Sequence, residues 1–331
     1  MHGGTVRGDG MFAHFRTAAL RTLIPAVVAA LAAPAHAQTY PTKPVRLIVP
    51  ASPAGGLDQV ARLIEQPLAA MWGQPVVVDN RPGAGVMVGS EVASKAQADG
   101  YTLLIVNSNL PPNAILYDKL AVLNGLAPVT LIATQPSAMG ISAAVAATTV
   151  PELIALAKSS KLTYASTGHG TLGHLTGEMF KIATGTDLLH VPYKGGGPVM
   201  VALAGSEISI GFASLPSFLP HRKSGRIRII ALTSSKRSPV APEVPTVAES
   251  LPGFSVEAWT GVFAPRGTPP DVVRKINSDT VRAAQAPEVH KRFLAQGFEV
   301  QSGPPQAFAS LIASDLAKYQ KVIRQTGLKL K

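Results

Sequence analysis

Two glycine-rich segments of this sequence have the residue types best suited to binding an anion. They are Ser52-Pro-Ala-Gly-Gly-Leu-Asp58 and Ser166-Thr-Gly-His-Gly-Thr-Leu-Gly-His174, and each joins an apolar run to a stretch with helical periodicity. Glycines let the backbone turn sharply and leave N–H groups uncovered by side chains. Those N–H groups, with the positive end of the following helix, suit a carboxylate or a phosphate. The alternative is a plain tight turn, in which Asp58 is the N-cap of its helix.

Two further loops follow predicted strands and also expose backbone N–H groups. The first is Asn80-Arg-Pro-Gly-Ala-Gly85, in which Arg81 either pairs with an anion or stabilises the loop. The second is His190-Val-Pro-Tyr-Lys-Gly-Gly-Gly-Pro198, in which Lys194 either supplies positive charge or is simply solvated. Both loops are therefore candidates for contacts with the same anion.

The main alternatives to a plain anion-binding loop are hypotheses in which the second segment belongs to an enzyme. Gly168, Gly170 and Gly173 form a G-x-G-x-x-G pattern, which is typical of dinucleotide-binding loops. However, the pattern lies mid-chain, and Asp187, the nearest candidate for the ribose-binding acid, follows Gly173 by only 14 residues. An exported hydrolase that uses Ser166 or Ser52 is the other hypothesis, but no G-x-S-x-G elbow is present. The sequence favours a protein without catalytic activity and without a cofactor.

The sequence gives little support for a metal site or a reactive thiol. The chain has no cysteine, which excludes disulfides, thiolate metal sites and cysteine nucleophiles. His169 and His174 are five residues apart, a spacing that does not put two ligands on one helical face, and His190, His221 and His290 are isolated in sequence. We therefore expect no metal site.

The charge balance points to anionic partners. The formal net charge is +11, of which Arg7, Arg16, Arg21 and Asp9 near the N-terminus contribute +2, so the remainder carries about +9. The densest basic run, at 222–228, lacks interleaved aromatic residues and does not resemble the focused stripe of a nucleic-acid binder. We expect no nucleic-acid partner.

The N-terminus has the features of a signal peptide. Arg16 and Arg21 precede an apolar run at 23–31, and the small-x-small pattern Ala35-His36-Ala37 follows. The run is shorter than the roughly 20 residues of a membrane span, although an anchored N-terminal helix is the alternative. We expect residues 1–37 to be removed near Ala37 and the remainder to be periplasmic, with Met1 or Met11 as the start.

Predicted strands and helices alternate along the rest of the chain. Apolar runs predict strands at 45–49, 76–78, 101–106, 129–133, 162–165, 188–191, 208–212, 227–232 and 262–264. Helical patterns cover the amphipathic stretch after Gly56, which Pro67 should kink or restart, and the ranges 149–158, 171–184, 198–204, 270–284, 287–295 and 305–326. This alternation predicts an α/β protein with parallel sheets, and the length predicts two lobes with a binding cleft between them.

An ordered set of motifs resembles the Bug family, the periplasmic substrate-binding components of tripartite tricarboxylate transporters. The motifs span nearly the whole chain after residue 37 and are Tyr40-Pro-Thr-Lys-Pro-Val-Arg-Leu-Ile-Val-Pro50, Pro53-Ala-Gly-Gly-Leu-Asp58, Asn80-Arg-Pro-Gly-Ala-Gly85, Asp99-Gly-Tyr-Thr-Leu-Leu104, His190-Val-Pro-Tyr-Lys-Gly195, Val244-Pro-Thr-Val-Ala-Glu249 and Phe263-Ala-Pro-Arg-Gly-Thr-Pro269.

The resemblance implies a type II periplasmic-binding-protein fold. One lobe would comprise 38–140 plus 257–331, the other 141–256, with the chain crossing near residues 140 and 257 and the C-terminal helices returning to the first lobe. The loops 52–58 and 166–174 would grip the carboxylate of a small ligand. The protein would be a monomeric receptor that serves a membrane permease or signals occupancy.

Three departures from the family pattern bear on the ligand. Ala54 stands at the first glycine of the family's P-G-G motif, Val86-Met87 replaces Gly-Asn, and Ala213 stands where an aspartate is common. Leu57, Met87 and Ala213 would make an apolar pocket wall, which favours a simple or aromatic mono- or dicarboxylate over an amino acid. The candidate ligand-binding residues are Ser52, Ala54, Gly55, Gly56, Leu57, Asp58, Arg81, Asn107, Ser108, Ser166, Thr167, Gly168, Gly170, Thr171, His174, Tyr193, Lys194 and Ala213.

Overall fold

The computed structural model describes residues 1–5 and 40–330. Of the signal peptide expected at 1–37, only the first five residues therefore lie in the described part of the chain. The cleavage site expected near Ala37 lies outside it. The residues from Lys43 onward form one compact unit, which contains all the elements below.

Eleven strands and eleven helices follow one another in this described unit. The strands are β1 Val45–Val49, β2 Val76–Asn80, β3 Thr102–Asn107, β4 Leu126–Gln135, β5 Ser137–Ser142, β6 Leu162–Ser166, β7 Leu188–Pro192, β8 Ile210–Ser214, β9 Ile227–Leu232, β10 Ala258–Pro265 and β11 Glu299–Val300. The helices are α1 Gly56–Trp72, α2 Met87–Ser94, α3 Leu110–Leu116, α4 Leu120–Asn124, α5 Val150–Ser159, α6 Leu172–Thr184, α7 Gly196–Ala204, α8 Leu215–Phe218, α9 Pro270–Gln285, α10 Pro287–Ala295 and α11 Pro305–Thr326.

The strands form two sheets, as expected for an α/β protein of two lobes. The first has the order β11-β4-β10-β3-β1-β2, and the second has the order β7-β6-β8-β5-β9. The expectation that both sheets would be parallel is wrong. β10 is antiparallel to β3 and β4, and β5 is antiparallel to β8 and β9. Neighbouring strands are parallel when a crossover connection joins them within one sheet. The chain reaches β5 and β10 from the other sheet, so that this connection does not set their direction.

The two connections between the sheets differ in length. β4 of the first sheet ends at Gln135 and β5 of the second begins at Ser137, so only Pro136 lies between them. The chain returns to the first sheet at β10. The sequence did not predict β5, because Ser137–Ser142 contains two serines and a glycine and has no apolar run.

The last helix, α11, packs in both cores. Phe308 and Ile312 belong to the core of the first sheet, together with Trp259 and Phe263. Tyr319 and Val322, further along the same helix, belong to the core on one face of the second sheet. A separate cluster covers the second sheet's other face. The C-terminal helix therefore joins the two halves of the fold.

Two local expectations about helices have different outcomes. Thr149 is the N-cap of α5 and accepts the Glu152 N–H at 3.3 Å, while the Glu152 carboxylate accepts the Thr148 N–H at 2.7 Å, which confirms the predicted helix start. Of the kink or restart expected at Pro67, the restart is wrong, because α1 runs unbroken from Gly56 to Trp72. Burial of its apolar face against the sheet outweighs the hydrogen bond that proline removes.

No helix in the described residues is both long enough and apolar enough to pass through a membrane.

Candidate functional site

A buried carboxylate organises the loop that precedes α1. Asp58 is 1% exposed, and its Oδ2 accepts the Ala54 N–H and the Arg62 Nε–H, both at 2.9 Å. Its Oδ1 accepts from Asn80 Nδ2 at 2.9 Å, and the same amide donates to the Ala51 carbonyl at 3.0 Å. Burial alone would raise the pKa of Asp58, but the hydrogen bonds from Arg62, Asn80 and Ala54 hold it below its usual value.

The prediction that Asp58 is the N-cap of this helix is wrong. Gly55 occupies the N-cap position, and Asp58 is the third residue of α1, from which its side chain reaches back to the loop. Gly56 and Leu57, the first two residues of the helix, line a cavity that Asp58 does not line.

The family departures at Ala54 and Val86 fall on left-handed backbone. The φ angle is 64° at Ala54 and 81° at Val86, values at which glycine is the favoured residue. Both positions are those where the family pattern has glycine, so this chain carries a Cβ atom at two strained turns. Met87, expected in the pocket wall, is instead fully buried in the first core.

Neutral groups organise the loop that precedes α6. Ser166, which is fully buried, donates from Oγ to the Gly168 carbonyl at 2.9 Å and shares a 2.7 Å hydrogen bond with His190 Nε2. Thr171 Oγ1 also donates to the Gly168 carbonyl, at 2.8 Å. Gly173 packs against the Phe212 carbonyl so closely that a Cβ atom there would lie 2.6 Å from the oxygen. This contact holds the N-terminus of α6 against β8.

A cavity of about 290 Å³ lies between the two helix N-termini. Seven of the residues predicted to bind ligand line it: Gly56, Leu57, Asn107, Ser108, Thr167, Thr171 and Ala213. Leu172 and Gly173 also line it and lie in the predicted loop 166–174, although they were not named as candidates. The remaining lining residues were not predicted: Asn109, Gln135, Ser137, Thr176, Phe212, Ser214, Thr233, Ala258, Trp259, Thr260 and Phe298. They include residues from both sheets and from the connection between them.

The electrostatics of the cavity come from backbone and neutral side chains. Among the described residues, those that line it carry no charged side chain. The N-terminal turns of α1 and α6 both reach it, and each supplies N–H groups and the positive end of a helix dipole. Asn109 Oδ1 accepts the Leu172 N–H at 3.2 Å, which connects the two sides. The cavity therefore suits an anion that is bound by dipoles rather than by an ion pair.

Residues 60–328 match the family model described as the tripartite tricarboxylate transporter family receptor. The chain belongs to this family. It is 36% identical over 310 residues to protein BugT of Bordetella pertussis, covering 92% of this chain and 95% of BugT. The resemblance to the Bug family is thereby confirmed.

Solved structures of similar proteins support the same assignment. Rpa4515 of R. palustris, solved with adipate, is 32% identical with a TM-score of 0.74, covering 88% of this chain and 99% of that one. MatC of Rhodopseudomonas palustris, solved with bound malate, is 29% identical with a TM-score of 0.70, covering 86% and 100%. The predicted fold, a two-lobed α/β periplasmic binding protein, is confirmed, and family members are periplasmic.

The protein is accordingly a solute-binding receptor and not an enzyme, as the sequence predicted. Ser166, which the hydrolase hypothesis named, has a structural partner in the receptor, and so has the nearby His174. Ser166 bonds to His190, while His174 Nδ1 accepts the Gly170 N–H at 3.0 Å. Both serve to hold the loop before α6.

Several predicted ligand-binding residues of the receptor lie outside the cavity lining. Arg81 donates to Asp79 at 2.9 Å, and Asp79 is also paired with Arg46. The Tyr193 N–H donates to the Ser166 carbonyl at 3.0 Å, and Lys194 is exposed. Further candidates that support the two loops without lining the cavity are Ser52, Ala54, Gly55, Asp58, Ser166, Gly168, Gly170 and His174.

Three histidines that are separated in sequence lie together beside the loop before α6. The imidazole centroids of His174 and His190 are 3.7 Å apart and stacked, and His169 packs edge-on against both. Burial is the main cause that lowers the pKa of His174 to about 4 and that of His190 to about 3. The neighbouring histidines lower the pKa of His190 further. Both rings are therefore neutral at pH 7. Nothing in their spacing predicted this cluster, because His190 comes from the neighbouring strand.

Proposed function

We propose that this receptor captures a small organic carboxylate, whose carboxylate group is bound by the N-terminal turns of α1 and α6. The observation that carries the proposal is that two helix N-termini, one from each side, reach a single cavity without charged side chains. Two helix dipoles and a set of amide and hydroxyl groups favour an anion there. The adipate and malate in the structures of the relatives named above support this ligand class.

The lining narrows the proposed ligand to one without an ammonium group. Leu57, Phe212, Ala213, Trp259 and Phe298 supply an apolar wall. Among the described lining residues there is no carboxylate to pair with a buried ammonium, which would be costly to desolvate unpaired. A simple or aromatic mono- or dicarboxylate is therefore favoured over an amino acid.

We further infer that binding closes two lobes about the two segments that connect the sheets. The one-residue link at Pro136 and the segment just before β10 support a hinge. We place the first crossover at Pro136 rather than near residue 140, because β5 belongs to the second sheet, so that 38–136 plus 257–331 form one lobe and 137–256 the other. The finer proposals are export with cleavage near Ala37, a monomeric state, and delivery of ligand to a permease of the tripartite tricarboxylate type. Family membership supports the last of these.

A panel measured by isothermal titration calorimetry tests the ligand class. Adipate, malate, citrate, benzoate, glutamate and phosphate are titrated into the purified protein. We expect binding of at least one carboxylate without an ammonium group, and no binding of glutamate. A response to glutamate alone, or to none of the six, would contradict the proposal.

A charge added to the cavity tests the site. Leu57→Asp introduces a carboxylate in the first turn of α1, where helix geometry accepts it but a bound anion is repelled. We expect at least ~100-fold weaker binding of the ligand found in the panel, since like charges a few ångströms apart repel by a few kcal/mol. Ala307→Asp adds the same charge at an exposed position in the first turn of α11 and should leave binding unchanged. Equal affinities for both variants would place the ligand elsewhere.

A further inference from the structure

We propose that His169, His174 and His190 form a binding site for one divalent transition-metal ion, such as Zn²⁺, next to the loop that lines the ligand cavity. The three residues come from three different segments: the loop after β6, the first turn of α6, and β7. The parallel pairing of β6 with β7 puts His190 beside Tyr164, and the loop and the start of α6 bring His169 and His174 into contact with the His190 ring. The site is thus a product of the fold and not of a local motif.

The spacing of the ring nitrogens is close to that of a three-histidine centre. One coordinating nitrogen from each ring lies within 4.8 Å of those of the other two. Two nitrogens bound to one tetrahedral Zn²⁺ at its usual bond lengths are about 3.4 Å apart. Convergence on an ion therefore requires movements of about an ångström, together with a turn of at least one ring, because His174 and His190 are stacked with an interplanar angle of only 11°.

The hydrogen-bond partners of His190 are compatible with its acting as a ligand. The Ser166 Oγ atom lies 2.9 Å from the Gly168 carbonyl oxygen and 2.7 Å from His190 Nε2. With the hydroxyl proton directed to the carbonyl, Ser166 Oγ accepts the His190 Nε2–H, and this tautomer has its lone pair on Nδ1. A ligating histidine commonly donates its other ring N–H to a neighbouring acceptor in this way, which fixes the tautomer.

His174 must exchange one partner for the ion. Its Nδ1 lone pair accepts the Gly170 N–H at 3.0 Å, and a neutral imidazole has only one such lone pair. Coordination therefore replaces that hydrogen bond, and a metal–imidazole bond is much the stronger of the two. Because Gly170 lies between Thr167 and Thr171, which line the ligand cavity, the ion would act on the same loop that lines it.

The surroundings permit a cation to enter and remain. His169 is exposed and His190 partly so, which leaves an approach from solvent. The carboxylate of Glu178 lies near His174, although it also pairs with Lys181 at 3.1 Å and accepts from the Tyr164 hydroxyl at 2.7 Å. Three neutral imidazoles without a carboxylate in the set favour Zn²⁺, Ni²⁺ or Cu²⁺ over Mg²⁺ or Ca²⁺.

Zinc titration of the untagged full chain tests the proposal. Calorimetry with ZnCl₂ in a chelator-free buffer should give one site per chain, MgCl₂ should give none, and Co²⁺ should develop the visible bands of a nitrogen-ligated tetrahedral ion. His169→Ala changes an exposed ring and should preserve the fold, yet it should weaken Zn²⁺ binding at least ~10-fold. His290→Ala removes an exposed histidine on α10 and should change nothing.

Two results would overturn the site. One is the absence of Zn²⁺ binding by the unaltered chain, which would mean that the three rings are only packed together. The other is an equal effect of His169→Ala and His290→Ala, which would locate any bound ion at surface histidines instead. Neither result bears on carboxylate binding, because the cavity is tested by separate ligands and by Leu57→Asp.

Discussion

The loops before α1 and α6 present similar helix N-termini to one cavity, but different interactions stabilise them. The first depends on an ionised, buried carboxylate, Asp58, which binds an amide, a guanidinium and a backbone N–H. The second depends on neutral groups, chiefly the Ser166 hydroxyl and the imidazoles of His174 and His190. The comparison teaches that two helix N-termini can reach one cavity while an ionised carboxylate stabilises the loop before only one of them.

The largest effect on stability is expected at the charged loop. Asp58→Ala leaves the Ala54 N–H and one of the two N–H groups of the Asn80 amide without an acceptor. We expect a loss of about 3 kcal/mol in the free energy of unfolding, measured by urea denaturation. Glu288→Ala removes an exposed carboxylate from the first turn of α10 and should cost less than about 1 kcal/mol. Similar losses in the two variants would show that the Asp58 network is not stabilising.

Acid should act on the same loop with a defined sign. The pKa of folded Asp58 lies below its ordinary value of 3.8, so its contribution is fully present above that pH and is lost as the pH falls through the folded pKa. In Asp58→Asn this part of the pH dependence should disappear. Urea denaturation of both proteins between pH 5 and pH 2 provides the check, and parallel curves would contradict the assignment.

The second loop should be less sensitive to the loss of a single group. Ser166→Ala removes the hydroxyl that bonds to the Gly168 carbonyl and to His190, and we expect about 1–2 kcal/mol of destabilisation by urea denaturation. Ser310→Ala removes an exposed hydroxyl on α11 and should stay within about 0.5 kcal/mol of the unaltered protein. A cost at Ser166 larger than that at Asp58 would reverse the comparison between the loops.

The two loops also differ in what their sequences revealed. Glycines between a strand and a helix predicted both helix N-termini, and the ordered motifs predicted the family and its two-lobed fold. Local sequence did not predict Asn109, Ser137 or Trp259 in the cavity, because each reaches it through sheet order or through the crossing between sheets. The histidine cluster was missed for the same reason, since the register of β6 with β7 places His190 beside residues that are distant in sequence.

The smallest expected effect concerns the strained turn of the first loop. Ala54 has a φ of 64°, where a Cβ atom is unfavourable by roughly 1–2 kcal/mol. Replacing it with glycine removes this strain, but glycine also has greater conformational freedom in the unfolded chain, which offsets part of the gain. We therefore expect Ala54→Gly to stabilise the protein by about 0.5–1 kcal/mol in urea denaturation. Ala307→Gly, at an exposed helical position with ordinary φ, should destabilise it by about as much. If Ala54→Gly were destabilising instead, the strain would be absent. The Asp58 network would then hold a relaxed loop, and the two loops would differ only in the charge of the groups that stabilise them.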